Sequence, residues 1–218
     1  VSLASGEYYH IFNRSIAGFK IYNNESDFKR FVGLLRYYHF NDLSIKYSQF
    51  KRLNAQSQYD LLISLATNEQ LANIVSYCIM PTHFHLLLLQ HTNDGIARFI
   101  SLLENSYSRY FNLVHKRKGP LWESRFQSVH ISTDAQLLHL TRYIHLNPVS
   151  AGIVSKPEEW EYSSYIEYLD PGYLGNICEF KDLIDMDAQQ YQKFVNDRKD
   201  YQRQLAIIKS QLIDNYTG

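Results

Sequence analysis

The sequence predicts an α+β fold, with helices packed on one face of a mostly antiparallel sheet. Three observations predict it. Two runs of β-type residues are separated only by the corner Met80-Pro81-Thr82, which makes them an antiparallel pair. Amphipathic helical patterns separate the remaining strands, and the order of elements reads β-α-β-β-α-β-α. An apolar content of 45% is enough to bury a core, which sets aside a disordered chain.

Residues 7–14 are aromatic and β-branched and form the first expected strand. Ser26 can cap a helix through Phe28, Phe31, Leu34, Leu35 and Tyr38, whose spacing is helical. Residues 41–70 read as an inserted loop with short helical pieces. Ile74–Ile79 and His83–Leu89 are the paired strands. Asp94 or Gly95 opens a long helix with Ile96, Phe99, Ile100, Leu103, Tyr107, Tyr110 and Phe111 on its inner side. That helix ends in the basic run His115–Lys118, before Gly119-Pro120. A strand through Phe126, Val129 and Ile131 follows, and Thr133 or Asp134 caps a helix through Leu137, Leu140, Thr141 and Ile144 that ends near Pro148. Beyond Asp170 the composition turns acidic and glutamine-rich. Phe194, Arg198, Tyr201, Leu205, Ile208 and Leu212 mark a terminal amphipathic helix. The expected organisation is a body over 1–170 with an insertion at about 41–70, and an acidic, largely helical extension over 171–218.

Net charge is zero, but its distribution is uneven. Residues 1–154 carry 15 Lys and Arg against 10 Asp and Glu, and all nine histidines; residues 155–218 carry 7 against 12. A basic, histidine-bearing body with an acidic tail is compatible with a nucleic-acid enzyme and equally with an ordinary solvated surface. An apolar run such as Leu86–Leu89 is far too short to span a bilayer, and nothing at the start of the chain reads as a secretion signal. Cys78 and Cys178, a hundred residues apart, are read as buried thiols of a reducing cytoplasm.

His83-Phe84-His85 lies on a strand, so both imidazoles share a face about 6–7 Å apart at Cα, a spacing from which two ring nitrogens can meet on one cation. Two hydrogen-bonded structural histidines would satisfy the same pattern. Tyr143 and Asn147, four apart on a helix, stack at the edge of its apolar stripe. They can bring a phenol and a hard amide oxygen to one spot, or be a core-edge ring and a helix cap.

The strings Tyr77–Leu88, Gly119–Phe126, Arg142–Pro148 and Glu158–Tyr165, in that order, resemble the REP-associated tyrosine transposases. These are single-tyrosine transposases of the His-hydrophobic-His endonuclease superfamily. The resemblance covers roughly residues 7–170. It implies a ferredoxin-like or RNA-recognition-like sheet with the two histidines on a central strand, and a catalytic chain rather than a scaffold. It also implies Mg²⁺ or Mn²⁺ held by His83, His85 and Asn147, and DNA attacked by Tyr143 to give a 5′-phosphotyrosine. Many relatives have Asn before the first histidine where this chain has Thr82. Implied partners are single-stranded or hairpin DNA in the nucleoid of a prokaryotic cytoplasm, with the chain acting as a monomer or homodimer and away from membranes. Arg14, Lys116, Arg117, Lys118, Trp122, Arg125 and Arg142 are the candidates for gripping DNA, by charge and stacking, although Trp122 reads equally well as a core residue and the Lys116–Lys118 run better as a solvated helix end. His130 is a candidate base for Tyr143, whereas His145 points elsewhere on the helix. A catalytically inactive DNA-binding domain of the same fold is the first alternative. The second is a two-histidine phosphoesterase, for which His130-Ile131-Ser132 supplies one motif but His83–His85 does not supply the other.

Overall fold

The computed structural model describes residues 3–170, 172–173 and 175–197. Strands β1 (Tyr8–Arg14), β2 (Ala72–Met80), β3 (His83–Gln90) and β4 (Gln127–Ile131) form one sheet in the order β2-β3-β1-β4, with every pairing antiparallel. Helix α1 (Glu25–Tyr38) links β1 to β2, and α4 (Gly95–Val114) links β3 to β4. This is the ferredoxin-like arrangement, and it puts β1 and β3 side by side at the centre of the sheet.

Both faces of β3 must be covered, because Phe84, Leu86 and Leu88 alternate with His85 and Leu87 and all are buried. The first set meets Phe28, Phe31, Leu34 and Leu35 of α1 and Ile96, Phe99, Ile100, Leu103 and Tyr107 of α4. On the opposite face Leu87, Val75, Cys78 and Met80 pack against Leu137, Leu140 and Ile144 of α5 (Asp134–Ser150). The helices therefore lie on both faces, not on one as the element order alone suggested. The alternation of β3 was already evidence that both of its faces are apolar.

Local chemistry corrects several expected boundaries. Asn24, not Ser26, caps α1, its side chain accepting from Asp27 N at 3.1 Å. Thr133 caps α5, as expected, through Gln136 N. Helix α5 ends near Pro148, as expected: a proline in the last turn loses one helical hydrogen bond, and the helix runs two residues further to Ser150 before Gly152 turns the chain at φ 67°. The 41–70 segment is more ordered than a loop. It holds α2 (Tyr47–Phe50) and α3 (Ala55–Ala66), and it buries Tyr47, Phe50 and Leu65 in the first core.

The segment after α5 runs along the free edge of β2. Main-chain bonds join Ile79 N to Tyr162 O at 2.9 Å, Ser164 N to Tyr77 O at 3.0 Å and Glu179 N to Ile74 O at 2.8 Å. Short α6 (Tyr165–Leu169) and α7 (Ala188–Asn196) then close the second core with Tyr165, Tyr168, Tyr191 and Val195. Cys78 is buried but Cys178 is only half-buried, and both are free thiols. Among the expected terminal-helix positions only Phe194 is in α7; Arg198 to Leu212 lie outside the described residues. No helix among the described residues is long and apolar enough to cross a membrane.

Candidate active site

The corner before β3 is held in place from outside the hairpin. Pro81 O accepts from Ile21 N at 2.9 Å and Thr82 O from Ser15 N at 2.8 Å. In register, His83 sits between Arg14 and Met80, and His85 between Phe12 and Cys78, both on the α5 face. Their ring centroids are 5.0 Å apart and nearly perpendicular. Each ring has its Nδ1 engaged: His83 with the Thr82 hydroxyl at 2.9 Å, His85 with His10 Nε2 at 3.1 Å. Thr82 thus makes a side-chain hydrogen bond at the corner. Both Nε2 atoms are left without a protein partner among the described residues. Burial, helped by the Arg14 charge, holds the His83 imidazole down at about 4. Burial, with the neighbouring His83 and His10, takes His85 well below the usual histidine range. Both rings are therefore neutral at pH 7, with a nitrogen lone pair available.

Helix α5 crosses this face and delivers Tyr143 and Asn147 to the same opening. The Tyr143 ring lies 5.6 Å from His85 and 6.2 Å from His10, edge-on to both. Tyr143 and Asn147 line a cleft of about 350 Å³ together with Phe12, Arg14, Thr82, His83 and His85. Asn147 is a full turn inside the helix, whose cap is Ala151, so the helix-cap alternative does not apply. Its Nδ2 donates to Tyr143 O at 3.2 Å, which leaves Oδ1 without a protein partner among the described residues. No three His, Cys, Asp or Glu side chains converge as a metal site among the described residues. The donor set that does gather here is two imidazole nitrogens and one amide oxygen, with room for further ligands, as a catalytic cation site requires.

The remaining expected positions divide sharply. Arg14 stands at the rim, its Nη2 donating to Glu123 Oε1 at 3.0 Å. Arg125 is exposed, its guanidinium 5.7 Å above the Phe126 ring, and Lys116 and Lys118 are exposed beyond α4. Arg117 instead ties the chain after α4, donating to Pro120 O at 2.7 Å and to the Asn112 side chain at 3.2 Å. Trp122 belongs to the first core rather than to a stacking surface. Its ring meets Phe84 edge-on at 5.5 Å and its Nε1 donates to Glu104 O. Arg142 is likewise misplaced by the sequence reading. It is fully buried, 4.2 Å over the Phe194 ring, with Nη1 on Phe194 O, so it cannot contact DNA in this conformation. His130 is also corrected. It pairs in register with Tyr9, on the other face of the sheet from His10, and binds Glu7 at 2.8 Å. It can neither serve Tyr143 as a base nor complete a two-histidine phosphoesterase. His145 does point elsewhere, into the second core.

Two residues near the cleft went unread in the sequence. His10 backs His85, and strand alternation did place it on the face of Phe12 and Arg14; what the sequence lacks is the register against a strand 75 residues away. Asn13, buried at the cleft, donates to Glu104 Oε1 at 2.8 Å and to Ser124 O at 3.0 Å, tying β1 to the Gly119–Phe126 segment.

Comparisons with known proteins give a family and a fold. The family model described as "Transposase IS200 like" matches residues 37–147, which includes the histidine pair, Tyr143 and Asn147. A curated relative in Haemophilus influenzae, named as a REP-associated tyrosine transposase, is 33% identical over 101 residues, covering 42% of this chain. The match spans 57% of that relative's length. A solved structure of a REP-associated tyrosine transposase bound to a REP hairpin superposes with a TM-score of 0.51 at 16% identity, over 85% of this chain and 92% of that one. At that identity the likeness speaks for the fold.

Proposed function

The chain belongs to the IS200-like transposase family, and from that premise we propose that it is a metal-dependent endonuclease and strand transferase for single-stranded or hairpin DNA, with Tyr143 as nucleophile. The observation that carries this reading is a single cleft in which Tyr143, His83, His85 and Asn147 meet, from two strands' worth of register and one turn of helix. The REP-hairpin ligand of the structural neighbour supports hairpin DNA as the substrate class.

Tyr143 Oη would attack a backbone phosphorus in line. The new P–O bond to tyrosine forms as the P–O3′ bond breaks, the 3′ oxygen leaves with a proton, and a 5′-phosphotyrosine remains. Because the phosphodiester energy is kept in that link, a second 3′-hydroxyl can reverse the step and join a different strand. His83 Nε2, His85 Nε2 and Asn147 Oδ1 would hold Mg²⁺ or Mn²⁺, which when bound supplies Lewis-acid charge at the phosphate. Asn147 and Tyr143 share a helical turn, so the residue that binds the cation also sets the distance to the nucleophile. Arg14, Arg125, Lys116 and Lys118 are the exposed or rim cations left to receive the phosphate backbone.

The deciding assay incubates the protein and Mn²⁺ with hairpin-bearing single-stranded DNA from the locus flanking its gene, followed by mass mapping of the covalent product. An adduct on Tyr143 is the expected result. An adduct on another tyrosine, or metal-independent cleavage of a small cyclic phosphate, overturns the reading.

A further inference from the structure

His10 lies on β1 beneath the cleft rather than in it. It is fully buried, and its Nδ1 has no hydrogen-bond partner among the described residues. An apolar side chain would fill that space without an unpaired polar atom, so the fold alone gives no reason for histidine. What His10 touches is His85. Its Nε2 is 3.1 Å from His85 Nδ1, and the two rings stack 5.2 Å apart and 25° from parallel.

A neutral imidazole carries one proton. His85 can offer its Nε2 lone pair to the cleft only when that proton is on Nδ1, and the atom facing Nδ1 is His10 Nε2. In the opposite arrangement His10 would donate, and His85 would carry N–H into the cleft, where it can bind no cation. We propose that His10 is a positioning residue, whose Nε2 accepts the His85 Nδ1 proton and so fixes the tautomer and ring orientation that aim His85 Nε2 at the cation. This rests on the metal reading given above. Thr82 plays the matching part for His83, its hydroxyl meeting Nδ1 at 2.9 Å. Each proposed ligand is thereby backed by one partner behind it. The accepting arrangement leaves the proton of His10 on Nδ1, the unpaired atom, so its cost is borne away from the cleft.

Calorimetric titration of Mn²⁺ into wild type, His10→Gln, His10→Phe and His10→Asn tests this, with metal-free melts of each. Glutamine places an acceptor near the position of Nε2 and should bind within about threefold of wild type. Phenylalanine fills the space without an acceptor, and asparagine is too short to reach, so both should lose about 10–100-fold in affinity. Side-chain ¹⁵N spectra with Mg²⁺ should show the His85 proton on Nδ1 in wild type and in His10→Gln. A merely structural role would instead lower the metal-free melting temperature and leave affinity unchanged. Wild-type affinity in the Phe and Asn variants, or a His85 proton on Nε2 in the Mg²⁺ form, overturns the role of His10 and leaves the metal site standing. A wild type that binds neither cation sinks the metal reading, and this inference with it.

Discussion

Eighteen tyrosines carry a hydroxyl, and surroundings separate them. Burial pushes the phenols of Tyr22, Tyr77, Tyr168 and Tyr191 well above their ordinary value, which makes them poor nucleophiles. Tyr143 lies on the cleft beside the two imidazoles. Tyr143→Phe should abolish the covalent adduct and keep hairpin affinity within about twofold, measured by gel shift, since only one oxygen is lost. Retained adduct formation would remove Tyr143 from the mechanism. Asn147 allows a second test at this scale. Asn147→Ala should weaken Mn²⁺ binding at least about tenfold, with Asn147→Asp equal to or tighter than wild type, because a carboxylate is a better hard ligand. The amide's single bond to Tyr143 O is local, so the Ala variant should lose no more than about 1.5 kcal/mol of stability. Equal affinity in the Ala variant would reject the ligand role. Local spacing made these residues legible: His-x-His on a strand and Tyr-x₃-Asn on a helix each fix a shared face. Core packing of Trp122 was one of the two readings its sequence allowed, and it is the one found; burial at Arg142 was not legible, because it depends on what packs against it from residue 194.

Helix α5 works on two sides. One side carries Tyr143 and Asn147, and the other carries a closed polar network in the second core. His145 Nδ1 meets the Tyr191 hydroxyl and its Nε2 the Ser164 hydroxyl, both at 2.8 Å, and Tyr191 donates to Thr141 Oγ1 at 2.9 Å. All four residues are buried, so the contacts tie α5 to α7 and to the Ser164 segment in a water-free layer. Tyr191→Phe should leave His145 and Thr141 short of a partner and cost about 1–3 kcal/mol in urea unfolding. Loss of less than about 0.5 kcal/mol would mean that the network does not brace α5. From the sequence this helix could be placed, and its apolar stripe drawn, because periodicity is local. Its end could be placed to within two residues of Pro148 and no closer, since a proline costs little in the last turn. The sequence also did not show that α7 lies against it, because a 3.6-residue pattern says that a face is buried and not by what.

Across the whole molecule, burial of histidines links stability to pH. Burial holds His10 and His145 down at about 3 and His39 and His83 at about 4, and takes His85 well below its ordinary value. In the unfolded chain each takes a proton near 6.5, so stability present above that pH is lost as pH falls toward 4. Glu104 acts oppositely. Burial raises it to about 7, so its contribution is present below the ordinary carboxylate value and lost as pH rises through 7. Burial raises Glu167 as well; five histidines outweigh these two carboxylates, so the urea midpoint should peak near neutrality and fall steadily below pH 6.5. A profile flat down to pH 4.5 would contradict the neutral, buried state of these rings. At this scale the sheet order was legible through the resemblance, which implied a ferredoxin-like sheet with the histidine pair on a central strand, as found. The element order alone, with its long connections, left that order open. The second helical layer was not legible, because apolar residues on both faces of β3 require that each face be covered without saying by which element. The strip formed by residues 162–164 and 178–179 along β2 has a practical consequence. Those residues occupy the backbone groups of a nine-residue, almost wholly buried strand that would otherwise template the addition of another chain. A fragment stopped at residue 155 keeps every cleft residue named above, yet it should precipitate or run as ladders of oligomers. On the β2 side, protection from such association is a property of the segment that follows the Tyr143–Asn147 helix.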